Sequence, residues 1–553
     1  MRGREVRRTP MVTHDETSPL LGPVGVMSGA SITARQEEAR AGRCPDTLPA
    51  PGKASPLRSF TSLVKQVTRN VTLEPMLFLK MIAEGNYKVV ADTLEIDRVC
   101  RINLNFTQEE CANMDDGNHT DVQIAVQKFE NTFNYNQSLM DSLIPLAVVL
   151  FMGSLSDIHG RRPPMLAVLA GFVAVAAVYL LTSLNSAWPV EVLYAGPLAV
   201  DITGSWVVFN MAVYSYVADI TTPETRTKRL GVLDACWYLG GPLGRLMGGW
   251  LYQVAGYPVV FFVSGILWAF CFMYVLLFVP ESVDKSARRS NTQEMQDARL
   301  GPLRHVAALL RTAFKPRPGR NRIYLLILLI LKLMVFLVQG HQMYLWARRV
   351  LGWGPAIFST WSSLDSVVHE VGMVAYVWLA ARFGLHDTIV AAGGLLSLGL
   401  WSAVLACIMG PGTWWLVVVA SLVGMFEPAI EPAIRTMLTT VVGVSEAGRV
   451  LALTGLLESA WFTVDQTIYT ALYNAYVETF PQINFVVQAS LCLVLMVTFA
   501  LLRLDMRRQP AATHGPPLSA HTTQDTIYSV QESQVNKDKD QETPEDTVHA
   551  HVM

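Results

Sequence analysis

Apolar residues run through the middle of this chain in segments of about 20 residues, the length a helix needs to cross the hydrocarbon core of a bilayer. The pattern predicts spanning helices at 73–94, 136–156, 164–184, 190–218, 230–253, 258–279, 323–346, 355–380, 388–409, 413–440, 450–475 and 482–502. The expected fold is an all-α membrane protein with twelve transmembrane helices. The first segment differs from the rest, because Lys80, Glu84, Lys88 and Asp92 recur every fourth residue along one face. Opposite charges at that spacing neutralise each other along a helix, so this segment spans if the stripe faces protein or water and not lipid.

Composition agrees. Of 553 residues, 51% are hydrophobic and 16% charged, a balance that excludes an ordinary soluble enzyme of this size. Residues 1–70 and 503–553 are polar and rich in Pro, Ser, Thr and charge. They cannot bury enough apolar surface to offset the entropy of ordering, which predicts two disordered tails. The net charge of −2 says nothing about partners, because sign is distributed loop by loop.

Lys and Arg in short loops mark the cytoplasmic side. Arg161 and Arg162, then Arg226, Lys228 and Arg229, then a basic linker at 281–322 fall on alternate connections, with Arg348 and Arg349 as the exception. Both tails are therefore expected in the cytoplasm. Residues 1–70 hold no apolar stretch of the signal-peptide kind. The acidic first loop, 95–133, falls on the opposite side and carries the glycosylation acceptors Asn105-Phe106-Thr107 and Asn118-His119-Thr120. It also holds Cys100 and Cys111, the two cysteines expected on the oxidising side and so expected to pair.

Charged residues cluster against the apolar run in "GSLSDIHGRRP". Gly153, Asp157, Gly160, Arg161 and Arg162 in that turn resemble the cytoplasmic gate motif of the major facilitator superfamily, although a positive-inside anchor beside an incidental Asp reads the same cluster more plainly. A glycine face, Gly240-Gly241-Pro242-Leu243-Gly244 with Gly248-Gly249, follows in the fifth span, and Pro280-Glu281-Ser282 closes the sixth. Ser445-Glu446-Ala447-Gly448-Arg449 after the tenth span is the counterpart of Thr222-Pro223-Glu224-Thr225-Arg226 after the fourth, and Arg382-Phe383-Gly384 is a degenerate second gate motif. The resemblance implies two six-helix halves in parallel repeat, 71–280 and 323–502, joined by the basic linker.

Within that superfamily the chain resembles, over roughly residues 73–502, the solute carrier family that contains the proton-coupled folate transporter. "SYVADITTPETRTKRLGVLDA" and "EPAIEPAIRTMLTTVVGVSEAGRV" carry the likeness together with the gate motif and the glycosylatable loop. The resemblance implies roles for three residues. Asp201 matches an aspartate used structurally or in coupling, Asp234 takes the place of an acidic residue tied to proton coupling, and Arg435 matches an arginine linked to substrate and proton binding. Two departures stand beside these. The folate carrier's helix-seven histidine falls near Val335, with His341 further along, and its helix-four arginine has no match in Leu193-Tyr194-Ala195-Gly196-Pro197.

A charged cavity is expected without any resemblance. Asp201, Asp234, Asp365, His369, Glu370, Glu427, Glu431, Arg435, Glu458 and Asp465 lie at or near mid-span, and each would cost roughly 2.5–3.5 kcal/mol facing lipid. They must face a cavity, pair with one another or carry a proton. Together with the resemblance, which implies proton-coupled carriage of folates and other organic anions, this gives the expectation of a secondary active transporter, a proton-coupled symporter of organic anions such as folates. Arg435 would attract the anion and Asp234 would carry the proton, with Glu458 or Asp465 as second candidates and His341 as a weaker relay. Structural salt bridges between the halves are the plain alternative for the same residues. A proton-coupled exporter of amphipathic solutes and a non-transporting receptor of the same fold are the rival functions.

Glu16 with Leu20 and Leu21 forms an acidic dileucine pattern of the kind clathrin adaptors read, pointing to an endosomal or lysosomal membrane as well as the plasma membrane. No Walker A, H-E-x-x-H, G-x-S-x-G or C-x-x-C pattern is present, so neither ATP-driven transport nor an enzyme is expected, nor any cofactor, metal or nucleic acid.

Overall fold

A computed structural model describes residues 72–115, 119–282, 302–317, 319–338, 342–442 and 444–508. Within them every regular element is helical. The helices are α1 (Glu74–Arg98), α2 (Gln108–Ala112), α3 (Thr120–His159), α4 (Arg162–Leu184), α5 (Ala195–Asp201), α6 (Ser205–Ile220), α7 (Pro223–Phe278), α8 (Pro302–Phe314), α9 (Asn321–Leu337), α10 (Met343–Leu351), α11 (Pro355–Arg382), α12 (Asp387–Ala406), α13 (Trp415–Gly424), α14 (Ile430–Val442), α15 (Val444–Tyr476) and α16 (Ile483–Arg508).

Proline sets several of the starts. Pro75, Pro163, Pro223 and Pro355 occupy the first turns of α1, α4, α7 and α11, where the missing N–H leaves no helical bond unmade. α7 holds the fifth and sixth expected spans, bent at Gly256, whose φ of 74° is open to glycine, ahead of Pro258. Among the described residues, seven helical stretches are long and apolar enough to cross a membrane. α1 falls outside that set with its charged stripe, and α9 is only 17 residues long.

Three expected spans are not continuous helices. The fourth breaks between α5 and α6, where Gly204 and Ser205 both have positive φ. The seventh breaks between α9 and α10 ahead of Gln342, at φ 68°. The tenth passes through a short 3-10 turn, Glu427–Ala429, built around Pro428. Two boundaries also move. α3 begins at Thr120, inside the expected loop 95–133, and α16 continues to Arg508, inside the expected disordered tail. The rest of that tail, from residue 509, and the first tail lie outside the described residues.

The glycine face holds α1 and α7 backbone to backbone. A Cβ on Gly244 would stand 2.2 Å from the Ile82 carbonyl oxygen, and one on Gly248 2.2 Å from that of Asn86. Only glycine allows that approach. The two halves meet where α3 packs on α15 and α7 on α11.

Candidate functional site

Between the halves lies a cavity of about 1270 Å³. Tyr87, Lys88, Asp141 and Arg245 line it from the first half, and Phe336, Glu458 and Phe462 from the second. Trp206, Phe172 and Trp268 make much of the remaining wall apolar and aromatic. Glu458 and Gly455 also line a smaller pocket of about 210 Å³ that holds Lys332, Glu431 and Arg435.

Lys332 organises that smaller pocket. Its side chain is 8% exposed, pairs with Glu431 and lies 3.1 Å from Glu458. Arg435 reaches Glu431 at 3.2 Å, with its own side chain 61% exposed. The four groups sum to zero charge when all are ionised. One anion arriving beside them therefore leaves an excess negative charge, which a proton on one carboxylate would cancel.

The other expected residues are placed as follows. Asp201 is fully buried at the end of α5, beside Asp141 and Ser205, both of which line the cavity. Asp234 is half-buried and accepts a hydrogen bond from the Tyr214 hydroxyl at 2.6 Å; it lines neither the cavity nor the smaller pocket. Asp465 is fully buried on α15, deeper than Glu458 and also outside both linings. His369 stands 3.7 Å from Asp365 and 3.9 Å from Glu427. His341, Asn118, Glu16, Leu20 and Leu21 lie outside the described residues.

Lys332 was not among the residues picked out from the sequence. Its signal was present, a solitary charge inside "YLLILLILKLMVFL", since an unpaired Lys in such a helix is costly in lipid and implies an acidic partner. Asp141 and Arg245 were missed likewise. In the α1 stripe, Lys80 is wholly buried, pairs with Glu84, and sits over the Phe172 ring at 4.8 Å from its centroid. Lys88 instead is exposed to the cavity and pairs with Asp92 at 2.8 Å.

The gate motif is bound by residues of the first half and by the start of the linker. Gly160, with φ 104°, packs against Glu281, whose carboxylate accepts from the Arg161 backbone N–H at 2.8 Å and from that of Arg162 at 3.3 Å. Arg161 also pairs with Asp219 at 3.2 Å, and Ser282 donates to the same carboxylate. Gly153 and Asp157 lie in the last turns of α3. Sequence reading missed the parts played by Asp219 and Glu281.

At the opposite end Cys100 and Cys111 form a disulfide, with Asn105 exposed between them. Here the halves are tied together. Arg348 pairs with Asp115 at 2.7 Å and Lys128 with Glu478 at 2.6 Å. Gln127 donates to the Leu345 carbonyl and accepts from Tyr473, Asn131 donates to the Thr470 carbonyl, and Thr93 meets Tyr344. At the linker end, by contrast, Arg161–Asp219 and Arg229–Glu74 lie within the first half, and Lys315, Arg317 and Arg320 of the linker pair with Glu446 of α15 and Asp505 of α16.

The sequence profile of the Major Facilitator Superfamily matches residues 137–464. The chain is 25% identical over 430 residues to the "Probable peptidoglycan muropeptide transporter SLC46" of Drosophila melanogaster, covering 74% of this chain and 81% of that one. It is 24% identical over 387 residues to the "Lysosomal proton-coupled steroid conjugate and bile acid symporter SLC46A3" of Gallus gallus, covering 67% and 79%. Against the "Proton-coupled folate transporter" of Rattus norvegicus the identity is 23% over 473 residues, covering 82% and 96%. In fold it matches a peptide transporter, POT, solved in complex with sulfate, with a TM-score of 0.55 at 14% identity over 79% of this chain and 95% of that one.

Proposed function

The chain belongs to the major facilitator superfamily, a family of membrane transporters, and we propose that it is a proton-coupled symporter of organic anions with an apolar, ring-containing body. The observation that carries this reading is the neutral cluster of Lys332, Glu431, Arg435 and Glu458 opening onto an aromatic-walled cavity between the halves. The anionic group of the substrate engages Lys332 and Arg435. Glu458, released from Lys332, takes the proton that restores neutrality. Trp206, Phe336 and Phe462 contact the apolar body.

Glu458 is the proton carrier of this scheme in preference to Asp234, because it lines both spaces and touches Lys332. The halves are 71–280 and 323–502, with both tails in the cytoplasm and the disulfide end outside or in the lumen. The conformation is then inward-facing, with the inter-half contacts at the disulfide end as its closed gate. The dileucine at Leu20 and Leu21 directs the protein to endosomal and lysosomal membranes through clathrin adaptors.

Uptake into cells tests this reading, with Leu20 and Leu21 changed to Ala to hold the protein at the surface. Labelled folate, a steroid sulfate and a muropeptide are offered at acidic and at neutral external pH. Acid-stimulated uptake of one of them supports symport and identifies the class of anion. Surface protein that takes up none of them at either pH, or that expels them, sinks the reading and favours the export alternative.

A further inference from the structure

Glu95 on α1 is 1% exposed and Glu130 on α3 is 0% exposed. Tyr179 of α4 donates to Glu95 Oε1 at 2.6 Å, and Asn134 Nδ2 donates to Glu130 Oε1 at 2.9 Å. The second oxygens are different. Oε2 of each is buried without a donor, and the two carboxyls are close enough to act on each other.

Carboxylate oxygens only accept, so two of them cannot satisfy each other. One proton between them converts a like-charge repulsion into a charge-assisted hydrogen bond. The neighbouring charges do not replace that proton. Lys88 and Asp92, on α1, are the charged groups near the pair, and they are already bonded to each other at 2.8 Å. Tyr87 of α1, Tyr179 of α4 and Tyr194, which precedes α5, are the other titratable groups facing it.

Tyr87 supplies a route to the pair. It lines the central cavity, and its ring meets that of Tyr179 edge-on with centroids 5.0 Å apart. Each phenol both donates and accepts, so Tyr87, packed on Tyr179, and Tyr179, bonded to Glu95, lie in sequence between the cavity and the carboxyl pair.

We propose that Glu95 and Glu130 share one exchangeable proton, which enters and leaves through Tyr179 and Tyr87 from the central cavity. A proton from cavity water binds the Tyr87 oxygen as the Tyr87 proton moves to Tyr179. The Tyr179 proton then moves to Glu95, and the pair gains one proton and one positive charge. The part this proton plays in transport rests on the proton-coupled reading above; its residence on the pair does not.

The test needs no substrate. Full-length protein in lipid nanodiscs is titrated while infrared difference spectra follow the carboxylic-acid C=O stretch. The wild type is expected to show a solvent-shielded protonated carboxyl whose band is lost or shifted in Glu95→Gln and in Glu130→Gln. Glu130→Asp, which keeps the acid but shortens its reach, shifts the same band and serves where a Gln variant fails to fold. In Tyr179→Phe the band remains but its hydrogen–deuterium exchange slows by on the order of 100-fold, as expected for loss of a proton-transfer group. A wild type without the band, or a band unchanged in all three carboxyl variants, overturns the proposal. Unchanged exchange in Tyr179→Phe overturns the route. Steroid sulfate uptake that ignores external pH while the band is intact defeats proton coupling and upholds the shared proton.

Discussion

Lys332 Nζ lies 3.1 Å from Glu458 Oε1, tying the seventh span to the eleventh at the point where the small pocket opens into the central cavity. Lys332→Met would leave Glu431 and Glu458 without their shared cation. Both carboxylates keep some exposure, 38% and 27%, so the cost is about 2 kcal/mol, below that of breaking a fully buried pair. The melting temperature in detergent is expected to fall, and to recover in part when Glu458→Gln is added. Transport returns in neither variant. A single variant that melts like the wild type would refute the pairing.

Glu458→Gln and Asp234→Asn separate the proposed proton carrier from its rival. With Glu458 neutral the cluster no longer needs a proton to accept an anion, so exchange of substrate across the membrane persists while acid stimulation is lost. Asp234, bonded to Tyr214 away from the cavity lining, is expected to keep acid stimulation when changed to Asn. The opposite pattern in a comparison of counterflow with pH-driven uptake would return the role to Asp234.

Gly244→Val places a Cβ where the Ile82 carbonyl stands, 2.2 Å away. Backbone on both sides leaves nothing flexible to yield, and the variant is expected to lose about 3 kcal/mol and most of its surface expression. Gly231→Ala, at a site with nothing within 4 Å, is the control and is expected to express normally.

The Glu478 carboxyl is held below its ordinary range by the hydrogen bond and charge of Lys128. A depressed carboxylate favours the paired state above its unpaired pKa and loses that preference only as pH falls through the depressed value. The Lys128–Glu478 contact at the closed end therefore persists from neutral pH to about pH 4.5, the ordinary range for Glu, and weakens below it. Spin-label distances between α3 and α15 at the disulfide end would report this. Closure that relaxes near pH 6 in the wild type, yet not in Glu478→Gln, would contradict it.

Cys100→Ser opens a loop of sequence separation 11, which a chain-entropy estimate values at about 2–3 kcal/mol. Lower thermal stability is expected, reproduced by Cys111→Ser, with no further loss in the double variant. Additive losses in thermal melts would mean that the two cysteines act separately.

Much of the architecture was legible from the sequence because hydropathy is summed locally. Twenty apolar residues in a row specify a span whatever they later touch, and the glycines at 240, 244 and 248 announce a close helix contact because no other residue permits one. The breaks inside the fourth, seventh and tenth spans were not legible. Gly204 and Pro428 are compatible with a bent or a continuous helix, and neighbouring helices decide which. The candidate site was legible in its inventory more than in its grouping: ten mid-span polar groups stood out, yet Lys332, Asp141, Arg245, Glu95 and Glu130 did not.

By itself, then, the sequence determined a helical membrane protein in two halves, the gate motif at one end and the cysteine-bearing loop at the other, since each depends on residues near one another in the chain. Only the tertiary structure decided that Glu458 shares Lys332 with Glu431, that Asp234 turns to Tyr214 and away from the cavity, and that Glu95 meets Glu130. The reason is geometric. A side chain's direction around its helix is fixed by packing against helices distant in sequence, and a buried charge takes its chemistry from whichever groups that packing brings within a few ångströms.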